Sequence, residues 1–107
     1  MPLFVAVHKW NPEEMIAVTK EMVPFFAAIG EGKLPEGIEL CATYMTGDFQ
    51  GAFCVWKARS KEDLEKVFDQ APTVKKGTEI VPVLQSYPPT MEYVLALYQQ
   101  MIQAAPK

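Results

Sequence analysis

Leu3-Phe4-Val5-Ala6-Val7-His8-Lys9-Trp10 runs without a gap into Asn11-Pro12-Glu13-Glu14, and this junction decides how the chain is read. The first run is rich in β-branched and aromatic residues and predicts a strand. Its two alternating sets, Leu3/Val5/Val7 and Phe4/Ala6/His8, are both largely apolar, so both faces of the strand are expected to be covered. The second run is a helix start. Asn11 can cap, Pro12 suits the first helical turn, and Glu14 can complete a capping box while favouring the positive helix end. Met15, Val18, Met22, Phe26 and Ile29 then recur at helical spacing. Pro24 is expected to kink this helix, and Gly30 to end it.

Further along, Glu31 to Gly37 is a polar connection. Residues 38–45 and 51–58 are predicted strands joined by the hairpin Thr46-Gly47-Asp48-Phe49-Gln50. Ser60-Lys61-Glu62-Asp63 signals a second helix start, and Leu64, Val67, Phe68 and Ala71 give that helix one apolar side. Residues 72–77 are predicted as a loop and 78–86 as a fourth strand. Pro82 cannot donate a ladder hydrogen bond, so that strand is expected at an edge or at a bulge. Pro88-Pro89 then breaks the chain before Thr90 to Ala104, a helical pattern whose one charged residue is Glu92.

The order β-α-β-β-α-β, then α, predicts an α+β protein built on the ferredoxin-like split βαβ motif with an antiparallel sheet. The expected division is a domain over residues 1–87 and a helical extension over 88–107. A second sheet from a twin chain is the simplest cover for the face away from the helices.

Bulk properties narrow the function classes. The chain has 107 residues, half of them hydrophobic, and a net charge of −3, which predicts one globular domain and argues against a nucleic-acid partner. One histidine and no paired Cys or His spacing give no metal signature. Cys41 and Cys54 are expected as small buried thiols. Neither a signal peptide nor a membrane-spanning run is visible, so a cytoplasmic location without membrane association is expected.

Within this frame, two stretches carry a resemblance: Val55-Trp56-Lys57-Ala58-Arg59-Ser60-Lys61-Glu62-Asp63-Leu64 and the first strand ending His8-Lys9-Trp10. The chain resembles the dimeric α/β-barrel superfamily over about residues 3–86. Leu34-Pro35-Glu36-Gly37, the Cys54-containing strand and Glu79-Ile80-Val81-Pro82-Val83 make it similar to a small uncharacterised prokaryotic family of unknown function within it. The resemblance implies a homodimer whose sheets face each other in a dimeric α/β barrel. The superfamily includes antibiotic-biosynthesis monooxygenases, haem-degrading enzymes, polyketide cyclases and dye-decolourising peroxidases. His8 falls where the haem degraders have a cleft-facing asparagine. Those enzymes and the cyclases place a key histidine after the second helix, and Asp69 to Lys76 contains none. The expectation is therefore a protein without a cofactor.

Candidate chemistry centres on His8. It could act as a general base or donate a hydrogen bond to an anionic substrate, or be a structural histidine near the dimer seam. Tyr44 is the second catalytic candidate, to orient an oxygen; Trp10 and Trp56 are candidate ligand-binding aromatics, the alternative for Tyr44 and Trp56 being an aromatic core. Asp48 reads as a turn residue, Glu39 and Glu79 as solvated strand positions. In the tail, Met91, Leu95, Tyr98 and Ile102 belong to a stripe too wide for an ordinary surface helix, and the helix lacks the basic residues a membrane surface would select. They are the candidate oligomer contacts. Two readings follow. One is a homodimer that holds a small apolar or aromatic ligand, acting if catalytic as a cofactor-independent oxygenase, isomerase or cyclase. The other is a non-enzymatic assembly or binding module that works through its C-terminal helix.

Overall fold

The structure, a computed structural model, describes residues 1–85 and 89–106. Four strands, β1 (Leu3–Lys9), β2 (Glu39–Met45), β3 (Gly51–Lys57) and β4 (Thr78–Val83), form one sheet in the order β2-β3-β1-β4. Every neighbouring pair is antiparallel. Four helices accompany it: α1 (Met15–Gly30), α2 (Lys61–Val67), α3 (Pro72–Lys76) and α4 (Met91–Ala104). The protein is therefore α+β. The expected boundary between residues 87 and 88, the end of β4 at Ser86 and the first proline of Pro88-Pro89 lie outside the described residues.

The two starts read from sequence form as local chemistry dictates. The Glu14 carboxylate accepts the Asn11 N–H at 3.1 Å, and a short 3₁₀ turn over Pro12–Glu14 leads into α1. Ser60 Oγ accepts the Asp63 N–H at 3.1 Å at the head of α2. Helix α1 continues unbroken through Pro24. Pro24 and Lys20 are both exposed, so the carbonyl that loses its helical donor can turn to water.

Helices α1 to α3 cover one face of the sheet. Phe4, Ala6, Cys54, Trp56 and Ile80 meet Phe25, Leu64, Val67 and Phe68 in the main core, and Val18, Ala71 and Val74 form a satellite beside it. The Phe25 and Phe68 rings stack at 5.6 Å, and Trp56 meets Phe68 edge-on at 5.7 Å. Such pairs contribute about 0.5–1.5 kcal/mol each beyond the area they bury. The strands crowd β1 from both sides. A Cβ on Gly77 would lie 2.0 Å from the Lys9 carbonyl oxygen, and one on Gly51 would lie 2.8 Å from that of His8, so neither site has room for a side chain.

Two expectations are corrected. Residues 72–76 are a helix, not a loop: Pro72 sets its first turn, and Glu21 reaches across from α1 to accept the N–H groups of Thr73 (2.9 Å) and Val74 (3.1 Å). Cys41 is exposed, because a β-bulge between Leu40 and Ala42 leaves it without a partner on edge strand β2. The sheet's second face, for which a twin chain was the expected cover, is left open by the described residues of one chain. Tyr44 and Phe53, opposite each other on that face, are 63% and 42% exposed. Pro82, as expected, sits on an edge strand.

Helix α4 begins with Thr90 Oγ1 accepting the Tyr93 N–H, and none of its residues is buried. The radius of gyration, 15.9 Å, exceeds the roughly 13 Å of a compact chain this long. Among the described residues no helix is long and apolar enough to cross a membrane.

Burial alone would raise the Glu21 carboxyl, but its bonds to Thr73 and Val74 and the charge of Lys76 outweigh that and hold it below the usual carboxylate range. Its stabilisation is thus present above the unfolded value and lost as pH falls through the folded one. Glu21→Ala should cost about 1–2 kcal/mol in urea unfolding at pH 7. The gap to wild type should narrow below about pH 4; a gap unchanged across that range would remove Glu21 as the anchor of α3.

Candidate functional site

His8 is the third inward-facing residue of β1 and is 2% exposed. Its Nδ1 lies 2.6 Å from Thr78 Oγ1, directly opposite on β4, and Thr78 Oγ1 lies 2.6 Å from the Val74 carbonyl oxygen. A carbonyl can only accept, and the Thr78 hydroxyl has a single proton, so that proton goes to Val74. Thr78 must then accept from His8, which places the imidazole proton on Nδ1. Nε2 is left as a lone-pair acceptor. It is buried and has no partner among the described residues.

Burial lowers the His8 pKa from 6.5 to about 4, because the surroundings disfavour an imidazolium. The Phe68 ring meets it edge-on at 5.2 Å. At neutral pH His8 is therefore an uncharged base with a free acceptor. This geometry does not favour the charged donor to an anion that the sequence also allowed. Nor does His8 lie on the open sheet face where a dimer seam was expected; it lies under the helices.

His8 lines a cleft of about 540 Å³ between α1, the β2–β3 hairpin and α3, within the roughly 300–1,000 Å³ typical of small-molecule sites. Helix α1 supplies Met15, Val18, Met22 and Phe26 to one wall. Opposite, Met45, Ala52 and Cys54 come from β2 and β3. Among the described residues no charged side chain lines it. Thr43 Oγ1 and Cys54 Sγ lie 3.4 Å apart and engage each other. Burial pushes the Cys54 thiol up, against a smaller downward pull from Thr43, so it stays protonated.

At the mouth, Trp10 and Phe49 form the outer wall, and the Trp10 indole N–H donates to the Phe49 carbonyl at 2.7 Å. Phe49 has φ +62°, a left-handed conformation that disfavours a bulky side chain. Asp48, accepting from Thr46 Oγ1 (2.6 Å) and the Gln50 N–H (3.0 Å), closes the turn that holds it there.

Of the candidates read from sequence, His8 and Trp10 come together at this cleft. Trp56 does not join them. It is fully buried in the aromatic core beside Phe25 and Phe68, with its indole N–H unpartnered. Tyr44 stands opposite Phe53, and Phe53 opposite Val7, so Tyr44 lies on the sheet face away from His8. The bulge at Cys41 flips the alternation of β2, leaving Leu40 inward and Tyr44 outward. Met91, Leu95, Tyr98 and Ile102 are all strongly exposed on α4.

Sequence reading missed Thr78 and Phe49. Thr78 carried no local signal, since its role comes from strand register. Phe49 did: a large aromatic residue between Asp48 and Gln50 is out of place in a polar turn. Among the described residues no three His, Cys, Asp or Glu side chains cluster as metal ligands. Comparison with protein-family models, with curated proteins and with solved structures finds no match to this chain.

Because the chain has a single histidine, its imidazole resonances can be assigned without ambiguity. A ¹⁵N-labelled sample should show a neutral Nδ1–H tautomer at pH 7 and no protonation until the pH falls below about 5. Titration near 6.5 would contradict the buried, Thr78-bonded ring.

Proposed function

We propose that this protein is a small-molecule-binding protein of ferredoxin-like, dimeric α/β-barrel type, holding a small, largely apolar ligand in the cleft above His8. The observation that carries the reading is the unpartnered Nε2 of a buried histidine at an apolar cleft of ligand size. Leaving such an acceptor unsatisfied costs about 1–3 kcal/mol, an expense more common at functional sites than in inert cores. If the protein is catalytic, His8 is the base. Its lowered pKa makes the neutral imidazole a weak base, so it would take a proton only from a strongly acidic O–H or C–H, as a cofactor-independent oxygenase, isomerase or cyclase acting on such a substrate would require. Tyr44, on the other sheet face, would take no part in that step.

The ferredoxin-like reading is supported by the antiparallel strand order β2-β3-β1-β4 with helices following β1 and β3. The homodimer is supported by the open face, where Leu3, Val5, Val7, Val55 and Val81 are only half-buried and Tyr44 and Phe53 are exposed. A contiguous apolar surface of this kind marks an interaction site. A second reading, assembly through α4, draws on the exposure of Leu95, Tyr98 and Ile102, the last of these at 77%.

Cleft occupancy is tested with a neutral solvatochromic dye such as Nile red, followed by its own emission and by Trp10 quenching. Saturable binding that weakens about tenfold or more in Met22→Asp is expected; binding indifferent to that change would place the dye elsewhere. Assembly is tested by sedimentation of the full chain, of Phe53→Lys and of a chain ending at Gln85. A dimer lost in Phe53→Lys but kept in the shortened chain is expected. The opposite pattern would transfer the interface to α4, and a monomeric full chain would end both assembly readings.

A further inference from the structure

Resting on the cleft reading above, we infer that the cleft selects ligands by a neutral hydroxyl or N–H group on an apolar scaffold, which donates to His8 Nε2. The selection is built by the Val74–Thr78–His8 relay. Thr78 Oγ1 is held 2.6 Å from the Val74 carbonyl oxygen and 2.6 Å from His8 Nδ1. Val74 can only accept, so Thr78 can only accept from His8, and the ring is held with its lone pair on Nε2. A ligand oxygen or nitrogen without a hydrogen would meet that lone pair with its own and be repelled.

The remaining polar groups of the cleft do not offset this preference. Thr19 Oγ1 donates to the Met15 carbonyl at 2.8 Å, and Thr43 and Cys54 engage each other. Among the described residues no lysine or arginine lines the cleft to neutralise an anion, and an anion placed among Met15, Met22, Phe26 and Met45 would lose its hydration without return. Carboxylates and phosphates are therefore excluded, as are ethers and ketones that present only acceptors to His8. A ligand hydroxyl that reaches Nε2 past the side chains burying it satisfies a side-chain acceptor left without a partner among the described residues.

The test uses the full-length protein and three probes of nearly equal size: 1-naphthol, 1-methoxynaphthalene and 1-naphthoate, with affinities measured at pH 7 by fluorescence or calorimetry. 1-Naphthol should bind at least about tenfold more tightly than the methyl ether, with 1-naphthoate weakest. On binding, the His8 Nε2 nitrogen resonance should move while the Nδ1–H proton is retained. Thr78→Val removes the acceptor that fixes the tautomer, so the preference for naphthol over the methyl ether should fall towards unity. Equal affinities for naphthol and its ether in wild type would overturn the donor rule while leaving an apolar cleft in place, and tightest binding of 1-naphthoate would do the same. If no probe binds, the cleft reading fails and this inference with it. The wild-type comparison decides the matter even if Thr78→Val does not fold.

Discussion

A histidine on the central strand of a helix-covered sheet must give up its water. Strand β1 lies between β3 and β4, and the side chains of Phe4, Ala6 and His8 face α1 to α3. For the first two this burial is favourable. For His8 it is costly unless both ring nitrogens find partners, and among the described residues only one is supplied, the hydroxyl of Thr78. The charge state, the tautomer and the free acceptor of the site all follow. Burial keeps the ring neutral, the Val74–Thr78 bond decides which nitrogen carries the proton, and the other nitrogen is left without a partner among the described residues.

The surroundings of His8 depend on contacts far apart in sequence. Helix α3 brings Val74 to the site, and it is tethered by Glu21 from the middle of α1. The close approach of Gly77 to the Lys9 backbone lets β4 pair with β1 at the register that sets Thr78 beside His8. On the opposite side, the hairpin turn holds Phe49 in a left-handed conformation against Trp10, so a strained residue forms the cleft mouth. Two further apolar surfaces, the open sheet face and α4, supply none of the residues that line the cleft.

Much of the architecture was legible along the chain. Alternation in Leu3–Lys9, the Asn11–Glu14 and Ser60–Asp63 starts and the edge position implied by Pro82 are local signals, and each formed as read. His8 and Trp10 were legible as neighbours because strand alternation places both on one side, and both line the cleft. Tyr44 was not, because a bulge of one residue reverses the facing of everything after it, and nothing in Leu40-Cys41-Ala42 announces that bulge. Residues 72–76 read as a loop because their N-terminal cap comes from Glu21, distant in sequence. The tail was legible as an apolar helix, and it forms with no buried residue.

The sequence by itself determined the element types, the apolar faces that demand cover and the single titratable residue among aromatics, since these rest on spacing and on short-range capping. Only the tertiary structure decided the chemistry of that residue. Strand register set Thr78 opposite His8, the turn before β4 set the Val74 carbonyl within reach of Thr78, and the bulge in β2 turned Tyr44 away. Register, bulges and long-range hydrogen bonds are settled by the packing of whole strands and helices against one another, so a free lone pair on Nε2 could not be read from the residues around His8 alone.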